Sequence, residues 1–166
     1  MGASTKALAA ASFAPAGATA GGGVQSNVSD QPAPILIVDD TVFNLKMLAT
    51  LIESKYKINT DQAISGEEAI MKCQQRVARG HDAYRLTIMD INMPGMDGAE
   101  ATSKIRELTD DYVKRRGQRD YLIIAHTAIP ADQFGDYREK GFDGFLQKAS
   151  GSESLLRQFL KKVSLI

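Results

Sequence analysis

An apolar run that ends on a carboxylate and then breaks into a Pro/Gly loop constrains this chain more than any other feature. It is Leu86-Thr-Ile-Met-Asp90, followed by Ile-Asn-Met-Pro-Gly-Met-Asp-Gly98. A short apolar run bounded by turn residues reads as a strand buried on both faces, and such strands belong to parallel sheets covered by helices. Upstream, Ile35-Leu-Ile-Val38 is a second run of this kind, and it ends on Asp39-Asp40. In a parallel α/β sheet the carboxyl ends of neighbouring strands open into one crevice, so two strands deliver three acids to the same place. The acids repel one another there unless a cation sits among them, and hard oxygen ligands suit magnesium.

The pattern between these runs alternates. After the acid pair, Phe43, Met47, Leu48, Leu51 and Ile52 recur at helical spacing, and Tyr56 to Ala63 is the more polar stretch expected of an edge strand. Ser65-Gly-Glu-Glu68 matches a capping box and predicts a helix through about Arg79 with Ala69, Ile70 and Cys73 inward. Another helix is expected from about Gly98, with Ala101, Ile105 and Leu108 on one face. Asp110 to Asp120 reads as a charged connection, longer than the usual span of about two to six residues, in which Lys114-Arg-Arg116 is balanced by Asp110, Asp111 and Asp120. Leu122 to Ala128 holds a fourth strand, Ala131 to Lys140 a predicted helix, and Gly144-Phe-Leu-Gln-Lys148 a fifth strand; Leu155, Leu156, Phe159, Leu160 and Val163 stripe the final helix. Five strands alternating with five helices give a doubly wound parallel sheet. Its expected order is 2-1-3-4-5, with the ligand crevice at the switch between strands 1 and 3, the strands that end in Asp39, Asp40 and Asp90.

Two more strand ends complete the pattern, the hydroxyl of Thr127 and the ammonium of Lys148. Acid pair, lone acid, hydroxyl and lysine, in that chain order and each at a strand end, resemble the receiver domain of two-component response regulators. The resemblance covers about Pro34 to Ile166. It implies a single flavodoxin-like (βα)5 domain that serves a His-Asp phosphorelay as a phosphoacceptor and assists its own phosphorylation and dephosphorylation without being an enzyme. The phosphoryl group would come from a phosphohistidine on a histidine kinase or a histidine-containing phosphotransfer protein. Asp90 would then be the nucleophile and also a metal ligand. Asp40 would hold Mg2+ directly, Asp39 through water, and the backbone carbonyl of Asn92 would add another ligand. Thr127 would donate its hydroxyl to a phosphoryl oxygen, and Lys148 would pair with the phosphate as a point charge. Phe145, three residues before the lysine, stands where the family keeps a switch aromatic, which turns inward as the hydroxyl moves toward the phosphate and alters the face made by helix 4, strand 5 and helix 5. As a phenyl it reports by packing alone, and simple core residence is the alternative. A phosphorylation-dependent dimer is a further implication. The phrase Val38-Asp-Asp-Thr-Val-Phe-Asn-Leu45, with Asn44 four after Asp40, looks like the C-terminal receivers of hybrid histidine kinases; a free-standing regulator is the competing context.

Three positions depart from the family pattern. Ala149 replaces the usual proline after the lysine, and the Lys148–Ala149 bond is expected to be trans because a non-prolyl cis bond costs about 2.5–4 kcal/mol. Thr41 follows the acid pair where an acid or Asn is frequent, and His126 precedes the hydroxyl where an apolar residue is usual. His126 reads as a strand-end histidine outside the chemistry. Singly, the other residues have plainer uses: an Asp as helix N-cap, Asp97 included, Thr127 as a turn residue, and Lys148 as a surface lysine.

Composition narrows the remaining classes. Twenty Lys and Arg balance twenty Asp and Glu, so nothing in the charge calls for nucleic acid or an anionic membrane. One cysteine, Cys73, excludes an internal disulfide, and no apolar stretch approaches the roughly 18 residues of a membrane-spanning helix. A cytoplasmic location is expected, with membrane tethering through a kinase as an extension of it. Residues 1–33 are rich in Ala, Gly and Ser and read as a disordered tether, with a targeting segment as the alternative; residues 34–166 form the domain. Two other functions remain open: a phosphorylation-independent receiver-like binding module, and a haloacid-dehalogenase-like phosphatase. The phosphatase wants a second acid two residues after its nucleophile, where Asn92 follows Asp90 and Thr41 follows Asp39. A flavodoxin-type FMN protein is disfavoured because Asp39-Asp40 stands where a phosphate loop would need Ser, Thr and Gly.

Overall fold

The computed structural model describes residues 32–130, 135–148 and 152–166. Five parallel strands, β1 (Ile35–Val38), β2 (Thr60–Ala63), β3 (Leu86–Asp90), β4 (Leu122–Thr127) and β5 (Gly144–Gln147), form one sheet in the order β2-β1-β3-β4-β5. Four helices stand among the described residues: α1 (Val42–Tyr56), α2 (Gly66–Ala78), α3 (Gly98–Arg116) and α4 (Glu153–Lys162). The doubly wound fold and its strand order are those expected.

Period-two alternation sends the strand side chains to two cores. Leu36, Val38, Met89, Ile123 and Ala125 pack with Ala69, Cys73, Ala101 and Ile105 of α2 and α3. Ile35, Ile37, Leu86, Ile88, Ile124 and Leu146 pack with Leu45, Leu48, Ile52, Leu156 and Leu160 of α1 and α4. Each Val, Leu, Ile or Met among these contributes about 1.5–3 kcal/mol when fully buried. The alternation also positions the polar groups. Asp39, Asp90, His126 and Lys148 carry on the parity of the α1/α4 face past the last apolar residue of their strands, so the layer above the core is polar.

Helix α2 opens as the capping pattern predicts. The Ser65 hydroxyl accepts from the Glu68 N–H at 3.2 Å, while the Glu68 carboxylate reaches back to the N–H of Ile64 at 2.9 Å, one residue beyond the usual reciprocal bond. Asp97 caps α3 by accepting from Glu100 N–H at 2.8 Å, as its plainer reading requires.

Four expectations are corrected. The stretch from Asp110 is helical, because α3 continues to Arg116 and ends on Gly117 at φ 66°. Its inward stripe is Ile105, Thr109 and Val113, and the Thr109 hydroxyl is satisfied by the carbonyl of Ile105, so a polar residue serves a core position. Leu108, expected inward, is 38% exposed. On α1, Phe43 and Met47 face outward, at 71% and 56% exposure, and Leu45 and Ala49 take the core instead.

Of the helix expected over Ala131 to Lys140, residues 131–134 lie outside the described residues, and 135–140 are not helical. Gly135 and Gly141 both take left-handed φ, 73° and 84°, which leaves too short a run between them for a helix. The segment closes as a turn, with Gly141 N–H on the Arg138 carbonyl and Phe142 N–H on that of Tyr137. The fifth helix of the expected count is therefore absent among the described residues. The Lys148–Ala149 bond and residues 1–31 lie outside the described residues.

Candidate functional site

The strand ends bring Asp39, Asp40 and Asp90 together, with one carboxylate oxygen from each within 4.8 Å of the others. Asp39 and Asp90 are buried, at 1% and 4% exposure, whereas Asp40 faces solvent. The Lys148 ammonium lies between the two buried acids, 2.7 Å from Asp39 Oδ2 and 2.8 Å from Asp90 Oδ2. Its strand is registered by the Lys148 N–H donating to the Thr127 carbonyl at 2.7 Å. The acid pair, the lone acid and the lysine thus meet at one end of the sheet, and Thr127 ends the strand beside them.

The electrostatics follow from burial and pairing. Burial pushes Asp90 above the ordinary carboxylate range, and the Asp39 charge adds to this, while the Lys148 ammonium and the Asn92 backbone N–H hold it back. For Lys148, burial disfavours the ammonium, but its hydrogen bonds and charge pairing with Asp39 and Asp90 prevail and raise its pKa. Asp90 is therefore a shielded carboxyl group partnered by the lysine, and Lys148 holds its proton more firmly than a free lysine.

Thr127 is 1% exposed, and its hydroxyl accepts from the Ile129 N–H at 3.0 Å. Among the described residues the hydroxyl proton has no acceptor. His126, paired in register with Asp90 across the β3–β4 ladder, is 7% exposed. Burial, with the Lys148 charge, depresses its pKa to about 4, partly offset by Asp39, so it is neutral near pH 7 and makes no part of the acid cluster. Phe145 is half-buried against the α2/α3 core, its ring 5.8 Å from that of Tyr137 and tilted by 54°.

The loop after Asp90 turns sharply into α3. Gly98 N–H donates to the Ile91 carbonyl at 2.9 Å, and a Cβ on Gly98 would stand 2.0 Å from the Asp90 carbonyl oxygen. Only glycine admits this approach, which folds the helix start against the strand that carries the acid.

One contact at the site is not legible as such in the sequence. Asn44, in the first turn of α1, donates its amide to both oxygens of Asp39, at 3.0 and 3.2 Å, and the Thr41 N–H donates to Asp39 Oδ1 at 2.9 Å. The available signal is its position four after Asp40, one helical turn beyond the acid pair. Cys73 is buried, and burial raises its thiol to about 12, which makes it an inert packing residue.

The donor set fits a hard divalent cation, since all three side chains offer carboxylate oxygen on one edge of the crevice. No helix among the described residues is long and apolar enough to cross a membrane.

Comparison with known proteins agrees with this geometry. The chain is 33% identical over 141 residues to hybrid signal transduction histidine kinase B of Dictyostelium discoideum, covering 81% of this chain and 7% of that protein. It is 31% identical to the sensor protein GacS of Pseudomonas syringae pv. syringae, over 81% of this chain and 14% of that protein. The chain thus spans a small part of these relatives. Among solved structures, the receiver domain of the histidine kinase CKI1 from Arabidopsis thaliana, complexed with Mg2+ and BeF3-, superposes with a TM-score of 0.60 at 27% identity, over 76% of this chain and 89% of that one. CheY of Borrelia burgdorferi, in a CheX-CheY-BeF3-Mg+2 complex, gives a TM-score of 0.60 at 28% identity, covering 76% of this chain and 86% of that one. The family model of the response regulator receiver domain matches residues 35–160, and with the fold and the strand-end groups already in place, the chain belongs to that family of phosphoacceptor modules.

Proposed function

We infer that this chain takes a phosphoryl group onto Asp90 from a phosphohistidine of a histidine kinase or histidine-containing phosphotransfer protein. The observation that carries the reading is the meeting of Asp39, Asp40 and Asp90, with the Lys148 ammonium between Asp39 and Asp90. A carboxylate oxygen of Asp90 attacks phosphorus, the P–N bond to the imidazole breaks, and the imidazole leaves with the electron pair and takes up a proton from solvent. Asp39, Asp40 and Asp90, with the Asn92 carbonyl, would hold the cation, and bound Mg2+ supplies neutralisation of the phosphoryl oxygens.

The protein's own groups do the remainder. Lys148 already lies 2.8 Å from Asp90, so it needs only to exchange Asp90 and Asp39 for a phosphoryl oxygen. Thr127 donates its free hydroxyl proton to a second oxygen. As it turns inward it gives up the bond from Ile129, and Phe145 follows it. The face that changes is built by β5, α4 and the turn around Tyr137. Equal numbers of acidic and basic residues support a protein partner rather than nucleic acid, and a phosphorylation-dependent dimer through the same face is part of the reading.

The chemistry is that of a single-turnover acceptor, not of an enzyme that releases a transformed substrate. Wild type incubated with acetyl phosphate or phosphoramidate and Mg2+ is expected to gain one acid-stable, base-labile phosphoryl group, and Asp90→Asn none. Labelling of Asp90→Asn equal to wild type, or labelling unaffected by a chelator, would overturn the reading in favour of a phosphorylation-independent module or another acceptor.

A further inference from the structure

Asp39 is the most completely tied acid of the site. Its Oδ1 accepts from the Thr41 N–H at 2.9 Å and from Asn44 Nδ2 at 3.0 Å; its Oδ2 accepts from the same amide at 3.2 Å and from Lys148 at 2.7 Å. A carboxylate offers about four lone-pair directions, and these donors take most of them. Asp40 differs, being exposed and, among the described residues, accepting a single long hydrogen bond of 3.4 Å from the Thr41 hydroxyl. Asn44 reaches back over the start of α1 from its first turn, and Thr41, the residue at the helix N-cap, makes no side-chain cap bond that would compete for this space.

A carboxylate whose lone pairs are occupied and whose charge is partly neutralised is a poor direct metal ligand. It remains a good acceptor for a metal-bound water. Mg2+ keeps several of its waters, whereas Ca2+ gathers about six to eight oxygen ligands in a flexible shell and gains from every carboxylate that can swing onto it. The state of Asp39 therefore bears on which cation the crevice favours.

We propose that Asn44 is a positioning residue that sets the cation preference of this site: by spanning both oxygens of Asp39 it keeps that carboxylate out of direct coordination and so favours Mg2+ over Ca2+. The inference rests on the metal reading above and adds a determinant outside the acid cluster.

The test is calorimetric titration of the full chain with Mg2+ and with Ca2+ separately, for wild type, Asn44→Ala and Asn44→Leu, together with Mn2+ water-proton relaxation to count metal-bound waters. Leucine keeps the bulk of the asparagine and removes its donor. Both variants are expected to shift the Ca2+/Mg2+ affinity ratio toward Ca2+ by about tenfold, the lower end of what residues that orient metal ligands contribute, and to lose one Mn2+-bound water. An unchanged ratio and water count in Asn44→Ala overturns the proposal, and so does a wild-type ratio in Asn44→Leu, which would show that filled space and not donation matters. Failure of wild type to bind either cation in an Asp90-dependent way overturns the metal reading itself, an outcome distinct from a selective failure of the Asn44 variants.

Discussion

The charged residues at the sheet's end act on stability as well as chemistry. Lys148 is the counter-ion of two acids that are almost entirely out of water, so Lys148→Gln leaves Asp39 and Asp90 facing each other without a cation. Removing one partner of a buried charge pair costs about 3–5 kcal/mol; the lysine side chain is 19% exposed, so we expect a loss of about 1–3 kcal/mol in chelator, largely restored by millimolar Mg2+. Denaturant unfolding with and without Mg2+ reads this, and a variant whose stability ignores the metal would contradict the shared-pocket picture. His126 gives the clearer pH signature. Its folded pKa of about 4 lies below its ordinary 6.5, so the folded state prefers the neutral ring. The corresponding stability is fully present above about pH 6.5 and is lost as pH falls toward 4, a contribution on the order of 3 kcal/mol. His126→Leu keeps an apolar group at that position and removes this titration, so its thermal stability is expected to fall less steeply between pH 6.5 and 4 than that of wild type. Asp90 acts in the opposite sense, because its raised pKa makes the folded state bind a proton more readily just above the ordinary carboxylate value, and stability declines as pH rises through that window.

At the scale of elements, the start of α3 depends on one missing side chain. With a Cβ of Gly98 at 2.0 Å from the Asp90 carbonyl oxygen, Gly98→Ala must displace either the helix or the strand. A loss of about 1–3 kcal/mol is expected, together with a phosphorylation rate reduced more than by an exposed Gly117→Ala change, since only the first moves the acceptor. Comparing the two variants by thermal melts and acetyl phosphate labelling checks this. The inner strands β1, β3 and β4 were legible because burial on both faces leaves an uninterrupted or nearly uninterrupted apolar run, as in Leu122-Ile-Ile-Ala125, and because each run stops at a polar group. The helices were less so. Thr109 hides a core position behind a hydroxyl satisfied by its own helix, so α3 reads as ending too early, and Phe43 and Met47 mimic a core stripe while lying on the surface of α1. Long-range polar contacts were not legible at all. Arg106 donates to the Gly141 carbonyl at 2.9 Å and to Asp143 at 2.6 Å, and Asp143 also accepts from the Ile123 N–H at 2.7 Å, which ties α3 to the entrance of β5 through partners far apart in sequence. Within the site, the acids, Thr127 and Lys148 follow from strand parity, whereas the Asn44 bonds depend on the angle at which α1 leaves β1.

Across the whole molecule, the site and the β5 edge are joined by short, specific links. The Lys148 side chain holds Asp39 and Asp90 while its backbone N–H holds the carbonyl of Thr127; three residues earlier on the same strand, Phe145 meets Tyr137, and Asp143 is fixed by Arg106. A phosphoryl group on Asp90 draws Lys148 and the Thr127 hydroxyl toward itself. It therefore perturbs β5 and the turn at Tyr137 directly, whereas α2 shares none of these bonds. We expect BeF3- with Mg2+, a mimic of the phosphorylated acid, to change amide hydrogen exchange chiefly between Tyr137 and Lys148, and to leave the interior of α2 near its resting protection. Phe145→Ala should keep its response to the mimic near Asp90 but weaken it at Tyr137, because the ring contact that carries the displacement is gone. Exchange measured by mass spectrometry with peptide-level resolution separates these cases: a uniform rise in protection would mean that the mimic merely stabilises the fold by binding, and an unaltered Tyr137 response in Phe145→Ala would remove Phe145 from the path between the acid and the surface.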